Sequence, residues 1–373
     1  MSLDHENMPI LDETHKKLAL KLCQLPCFNS LTIDNIAVID VGLSQSCFQV
    51  DDTNQRYFAK YLTGSYVETT ASQIAAFYGI APKVVYAGNN WLVTEFKVAQ
   101  ELNTADLSEN EKITLMLTML AQCHQIDEHS DSQHHNEQLD SVFYKASHLT
   151  FNSAVSSAGA TSLKPIRKQK DKLSALPKLN VTAVIDDLLQ QLELSDQQNQ
   201  QLKQLSKKLM QNLNKANEQA GNIRQVFCHG DANFSNVLLV KNNLSSPNTH
   251  DYLLVDFECA CIAPIEYDLA MMMAVNGIEA NKIEIIYQLY LQGLTALNKQ
   301  GNAHEIVDNS SVELMNVKSL SSKLVTCYYD LSILINGLWY FVAYQSRQQL
   351  KYKNLALKQL QLLAKSYPEL YQF

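Results

Sequence analysis

At 373 residues the chain is long enough for one large domain or for two lobes with a sizeable core. Its apolar fraction of 46% and charged fraction of 18% describe a soluble globular chain, and no apolar run reaches the length of a membrane span. A net charge of −8 argues against a nucleic-acid surface and suits a cationic partner. The first residues are acidic and lack an apolar core, so no secretory leader is expected. Eight cysteines fall mostly in apolar segments without zinc-ligand spacing, which leads us to expect reduced thiols in a cytoplasmic protein.

Residues 12–25 read as an amphipathic helix with Leu18, Leu22 and Leu25 on one face, ended by Pro26. Three β-like runs follow, Ile33–Val41, Cys47–Val50 and Arg56–Leu62, separated by turns at Gly42–Ser46 and Asp51–Gln55. Alternation in the third run puts Lys60 with Phe58 and Leu62, opposite Tyr57, Ala59 and Tyr61. A lysine there needs an ionic partner, or an edge strand from which its stem can snorkel to water. The next helix, Ser65–Gly79, carries a single acidic residue, Glu68, and ends at Gly79-Ile-Ala-Pro82. A further hairpin, Lys83–Ala87 and Trp91–Phe96, turns at Gly88-Asn-Asn90.

Beyond residue 97 the pattern becomes helical. Ser108-x-x-Glu111 is a capping box before a stripe of Ile113, Met116, Leu117, Leu120 and Cys123, and His124 closes that helix in a structural role. Residues 127–180 are polar and irregular, an insertion or cover whose basic patch at Lys164–Lys172 reads as a solvated face. Ser195-x-x-Gln198 opens a glutamine-rich helix whose Leu202, Leu205, Leu209 and Leu213 form a core stripe too short for a coiled coil. Several helices run to Phe373, with a loop expected at Asn298–Asp308.

Between the two helical regions lies the stretch richest in chemistry, Val226–Asp268. It reads Val-Phe-Cys-His229-Gly230-Asp231 and reaches Asn236 five residues after Asp231. Two short β-type runs, Val237–Val240 and Tyr252–Val255, flank a polar turn, and Asp256-Phe257-Glu258 closes the second run. Phosphoryl transfer from ATP needs a carboxylate to orient the attacking hydroxyl and oxygen ligands to hold Mg²⁺ against the phosphates. A kinase catalytic loop followed by an Asp after the next hairpin supplies that set at this spacing.

With glycine in place of the arginine of H-R-D, this H-G-D-x-x-x-x-N stretch resembles the aminoglycoside phosphotransferase and choline kinase superfamily. Asp256-Phe257-Glu258 looks like the D-F-E of choline and ethanolamine kinases, whereas Gly230 is shared with the aminoglycoside enzymes. The resemblance implies an α+β, two-lobed protein kinase-like fold. A small antiparallel-sheet lobe would occupy residues 1–97, and a larger, mainly helical catalytic lobe residues 98–373.

It also implies roles. Asp231 would orient or deprotonate the acceptor hydroxyl, and Asn236 and Asp256 would hold Mg²⁺. Lys60, paired with Glu68, would bind the phosphates of ATP. Gly42, Ser44 and Ser46 would lie in the loop over those phosphates, and Glu95 and Phe96 at the adenine hinge. His229 and Asp268 would be structural, the latter bonded to the catalytic-loop backbone. Glu258, Asp330 and Trp339 would meet the acceptor, a small and cationic metabolite such as choline or ethanolamine, since aromatic faces and carboxylates attract ammonium groups. No nucleic-acid or membrane partner is expected. Alternatives are a thiamine or aminoglycoside-type phosphotransferase, or an inactive nucleotide-binding regulator.

Overall fold

The computed structural model describes residues 12–39, 45–53, 55–64, 66–126, 172–241, 250–301 and 320–368. They divide into two compact units. The first holds the described residues up to Asp106, those ending at Leu176, and Ser235–Cys259; the second holds Leu107 onward, Pro177–Phe234 and Ala260 onward. The first unit therefore includes residues beyond 97 and the segment Ser235–Cys259.

In the first unit, helix α1 (Glu13–Leu22) starts where the Asp12 carboxylate accepts the His15 N–H at 2.8 Å. The expected strand from Ile33 begins instead as a 3-10 turn. The Asn35 side chain accepts from the Thr32 hydroxyl at 2.8 Å and holds that turn closed. Strands β1 (Ile36–Ile39), β2 (Ser46–Asp52) and β3 (Gln55–Tyr61) follow, then helix α2 (Val67–Phe77), β4 (Val84–Gly88) and β5 (Trp91–Glu95). The five strands form an antiparallel sheet in the order β1-β2-β3-β5-β4. One face carries Phe48, Val50, Ala59, Trp91 and Val93, packed against Ala19, Leu22, Leu25 and Phe28. Lys60 belongs to the opposite face of the central strand, between Cys47 and Leu92 on its neighbours, so it has no edge position. Gly79, at φ +72°, makes the left-handed turn that ends α2.

The second unit is mainly helical. Its elements are α3 (Glu109–His124), α4 (Val181–Gln191), α5 (Asp196–Ala220) and β7 (Gln225–Cys228) after a short strand β6 (Ala99–Glu101) of the first unit. Both capping boxes form, at Ser108–Glu111 and Ser195–Gln198, and the Leu202, Leu205, Leu209 and Leu213 stripe of α5 is buried. The chain then returns to the first unit as the hairpin β8 (Val237–Lys241) and β9 (His250–Leu254), which extends β6 into a three-stranded sheet. The Leu254 N–H donates to Ile80 O at 2.8 Å, tying this hairpin to the end of α2.

Strand β10 (Cys261–Pro264) pairs with β7 and leads straight into α6 (Ile265–Val275), buried from Ile265 to Ala274. Helices α7 (Ile283–Gly301), α8 (Ser322–Arg347) and α9 (Leu350–Ala364) complete the unit, with α8 packed on α6, α9 and α5. Helix α7 continues through Gly301, into the stretch expected to be a loop from Asn298; the rest of that stretch lies outside the described residues. So do Gly42, Ser44 and most of 127–180; the described end of that segment buries Leu173 and Leu176. All eight thiols are free, and among the described residues no helix is long and apolar enough to cross a membrane.

Candidate active site

The first unit gathers one lysine and three carboxylates. Alternation on β3 turns the Lys60 side chain away from the α1 core and toward α2. Its Nζ lies 2.7 Å from Glu68 Oε1, 2.7 Å from Asp256 Oδ1 and 4.0 Å from Glu258 Oε2. Lys60 and Glu68 are buried, while Asp256 is 37% exposed. Burial opposes the Lys60 charge, but Asp256 and Glu68 outweigh it and hold the ammonium above its usual range.

Glu68 responds the other way. Burial pushes its carboxyl up to about 7 against the pull of Lys60, and its Oε2 is buried without a hydrogen-bond partner. One ammonium faces three carboxyl groups, with oxygens of Glu68, Asp256 and Glu258 within 4.8 Å of one another. A hard divalent cation fits such a set: oxygen donors, excess negative charge and an orphaned carboxylate oxygen.

Asn236 is brought to the same end of the β8–β9 hairpin as Asp256. It is buried in a 3-10 turn, Phe234–Asn236, and its carbonyl accepts the Val255 N–H at 3.0 Å. Asp256 itself adopts φ +65°, a left-handed conformation that Asp tolerates better than most residues. Glu258 joins the Lys60 cluster and receives the Gln45 amide at 3.4 Å. Ser46 opens β2 opposite Tyr61. Glu95 pairs with Lys97 at 2.9 Å, and Phe96 lies under the Arg56 guanidinium at 5.5 Å.

The second unit holds the His229–Asp231 loop. It leaves β7 and turns at Gly230, φ +77°, where glycine avoids the strain any side chain would meet. Pairing of β7 with β10 delivers the first turn of α6 to this loop. There the fully buried Asp268 accepts the His229 N–H and the Gly230 N–H, both at 2.9 Å, and lies 3.1 Å from His124 Nε2. Burial would raise the Asp268 carboxyl, yet its hydrogen bonds from His124 and Gly230 hold it below the usual carboxylate range. The other end of α6 grips the loop again. Asn276 accepts the Phe234 N–H and donates to Ala232 O, both at 2.9 Å.

Of the residues expected at the acceptor, Glu258 lies beside Lys60, and Asp330 and Trp339 separate along α8. Asp330 accepts the Tyr367 hydroxyl at 2.9 Å, and burial pushes its carboxyl up. Trp339, nine residues on, points from the opposite side of the helix and is 37% exposed. The Trp339 ring meets Tyr340 edge-on at 5.4 Å, and the charge of Asp231 adds to the burial that raises the Tyr340 phenol. Tyr328 and Tyr329 are core residues, against Tyr267 and Ile278 O respectively.

The family model for choline/ethanolamine kinases matches residues 57–363. The chain belongs to that family. As a choline/ethanolamine kinase family member it is a small-molecule kinase, a phosphotransferase with an alcohol group as acceptor. Solved structures agree in fold. A choline kinase of Cryptosporidium parvum superposes with a TM-score of 0.59 at 14% identity, over 96% of this chain and 97% of its own. A Plasmodium vivax ethanolamine kinase gives 0.57 at 15%, covering 95% and 89%. The Streptococcus pneumoniae choline kinase gives 0.55 at 14%, covering 94% and 98%. No curated protein sequence is significantly similar to the chain.

Two residues of this family member carry no sequence signal. Asn276 reads only as the end of a helix, and Tyr290, hydrogen-bonded to His124, as one more apolar-face position of α7.

Proposed function

We propose that this chain transfers the γ-phosphoryl group of ATP, in the presence of Mg²⁺, to the hydroxyl of a small cationic alcohol of the choline or ethanolamine kind. The observation that carries the reading is the Lys60 cluster: a buried ammonium shared by Glu68 and Asp256, among carboxyl groups that outnumber it three to one. Lys60 binds phosphate oxygens. Asn236, Asp256 and Glu258 offer the oxygen ligands for the metal, which would neutralise phosphate charge when bound. Asp231 takes the proton of the acceptor hydroxyl as its oxygen bonds to the γ-phosphorus, and the bond to the bridging oxygen breaks to leave ADP. Trp339 and Tyr340 offer aromatic faces to an ammonium group. The relatives named above act on choline and ethanolamine, and the pneumococcal choline kinase has been crystallised with AMP.

The test is acceptor-dependent ADP release with choline, ethanolamine, thiamine, aminoglycosides and neutral sugars. Trp339→Ala should then raise KM for the best cationic acceptor about 3- to 30-fold, as loss of one cation–π contact implies. Efficient phosphorylation of a sugar, with every cation inert, would refute the cationic acceptor and leave the kinase standing.

A further inference from the structure

Under the His229–Asp231 loop runs a buried chain of hydrogen bonds that ends at Tyr290. This residue of α7 is fully buried, its hydroxyl is 2.7 Å from Nδ1 of His124, and the two rings pack 5.6 Å apart. The other ring nitrogen of His124 meets Asp268 Oδ2 at 3.1 Å, and the two oxygens of Asp268 take the His229 and Gly230 N–H groups. His229 Nδ1 in turn accepts the Asp231 N–H at 3.3 Å.

Donors and acceptors fix where the protons are. An ionised carboxylate only accepts, so His124 must present Nε2–H to Asp268. A ring that carries a single proton then has a bare Nδ1, which the Tyr290 hydroxyl fills as donor; burial keeps that phenol protonated. With Tyr290 gone, Nδ1 would be a buried acceptor without a donor, and the ring could move its proton there. A bare Nε2 would then face the carboxylate lone pairs. Cys228 is close to His124 and Asp268, but its thiol donates to Ala263 O at 3.5 Å and Pro264 O at 3.7 Å. Its proton thus points away from the His124–Asp268 hydrogen bond.

We propose that Tyr290 is a positioning residue for phosphoryl transfer: its hydroxyl locks His124 in the Nε2–H tautomer, and through Asp268 this holds the backbone that presents Asp231. The inference rests on the reading of Asp231 as the group that meets the acceptor hydroxyl.

Nitrogen NMR of histidine-labelled protein should show His124 with Nε2 protonated and Nδ1 bare, and that signature should be lost in Tyr290→Phe. The same variant should lose about ten- to a hundredfold in kcat, the cost of a misplaced reacting group, with KM for ATP unchanged. A purely structural tyrosine would lower the melting temperature and leave kcat of the folded protein alone. His124→Gln can still donate to Asp268 and has no Nδ1, so in that background Tyr290→Phe should cause no further loss. A wild-type His124 protonated on Nδ1, an undiminished kcat in folded Tyr290→Phe, or additive losses in the double variant would each overturn the proposal. The NMR spectrum decides the tautomer independently of acceptor identity, so failure here is distinct from failure of the kinase reading.

Discussion

Lys60 and Asp256, 196 residues apart in the chain, are joined by a 2.7 Å ion pair. That bond fastens the central strand β3 to the turn after β9, and Glu68 closes it from α2 at 2.7 Å. Removing the ammonium leaves three carboxylates facing one another. Lys60→Met should cost about 3 kcal/mol, the low end for a broken buried pair because Asp256 is partly hydrated. Added Mg²⁺ should restore part of that loss, since the cation replaces the missing charge. Urea unfolding with and without Mg²⁺ measures both effects; an unchanged midpoint would remove Lys60 from the cluster's electrostatics. ATP use should fall in the same variant.

Glu68 makes the metal-free protein sensitive to pH. Its carboxyl is raised from 4.5 to about 7 in the folded state. Folded protein thus holds a proton that the unfolded chain has released, and the sign follows: this group's contribution is full below about pH 4.5 and is lost as pH rises through about 7. Glu68→Gln keeps a neutral side chain at every pH. Relative to the parent it should gain stability across that window and hold the gain above it. A difference in unfolding free energy that stays flat with pH would contradict this account.

Asn276 joins the two ends of the loop after Asp231, accepting from Phe234 N–H and donating to Ala232 O. Asn276→Ala should destabilise the protein by about 1–3 kcal/mol, because both loop groups lose a buried partner. Amide exchange at Phe234 should accelerate, and kcat should fall about tenfold through misplacement of the neighbouring Asp231. Unchanged exchange at Phe234 would show that another group holds the loop.

What could be read from the sequence was what lies close along it. The capping boxes at Ser108 and Ser195 join residues three apart, and both were legible. The face of Lys60 was legible from alternation, but its position in the sheet depends on β5 pairing with β3, a non-local choice. Ile33 looked like the start of a strand because the Asn35 to Thr32 bond is invisible to hydrophobic patterning. The choline kinase-like motif directed attention to Asp231 and to the turn where Asn236 and Asp256 come together. Tyr290 and Asn276 were out of reach, since their partners lie 166 and 44 residues away. Asp330 and Trp339 are grouped as acceptor residues by the family resemblance and their chemistry, and nine residues of helix place them on opposite sides.

The most direct test of phosphoryl transfer to a small alcohol is a comparison of the parent with Asp231→Asn. Phosphorus NMR would follow ADP and the new phosphomonoester with Mg-ATP and the best acceptor from the panel. The parent should form the phosphomonoester only when both Mg²⁺ and acceptor are present. Asp231→Asn should be slower by about two to four orders of magnitude at unchanged nucleotide affinity, the loss expected when a proton acceptor is removed from the transition state. Near-parental turnover by Asp231→Asn would contradict the assignment at its centre.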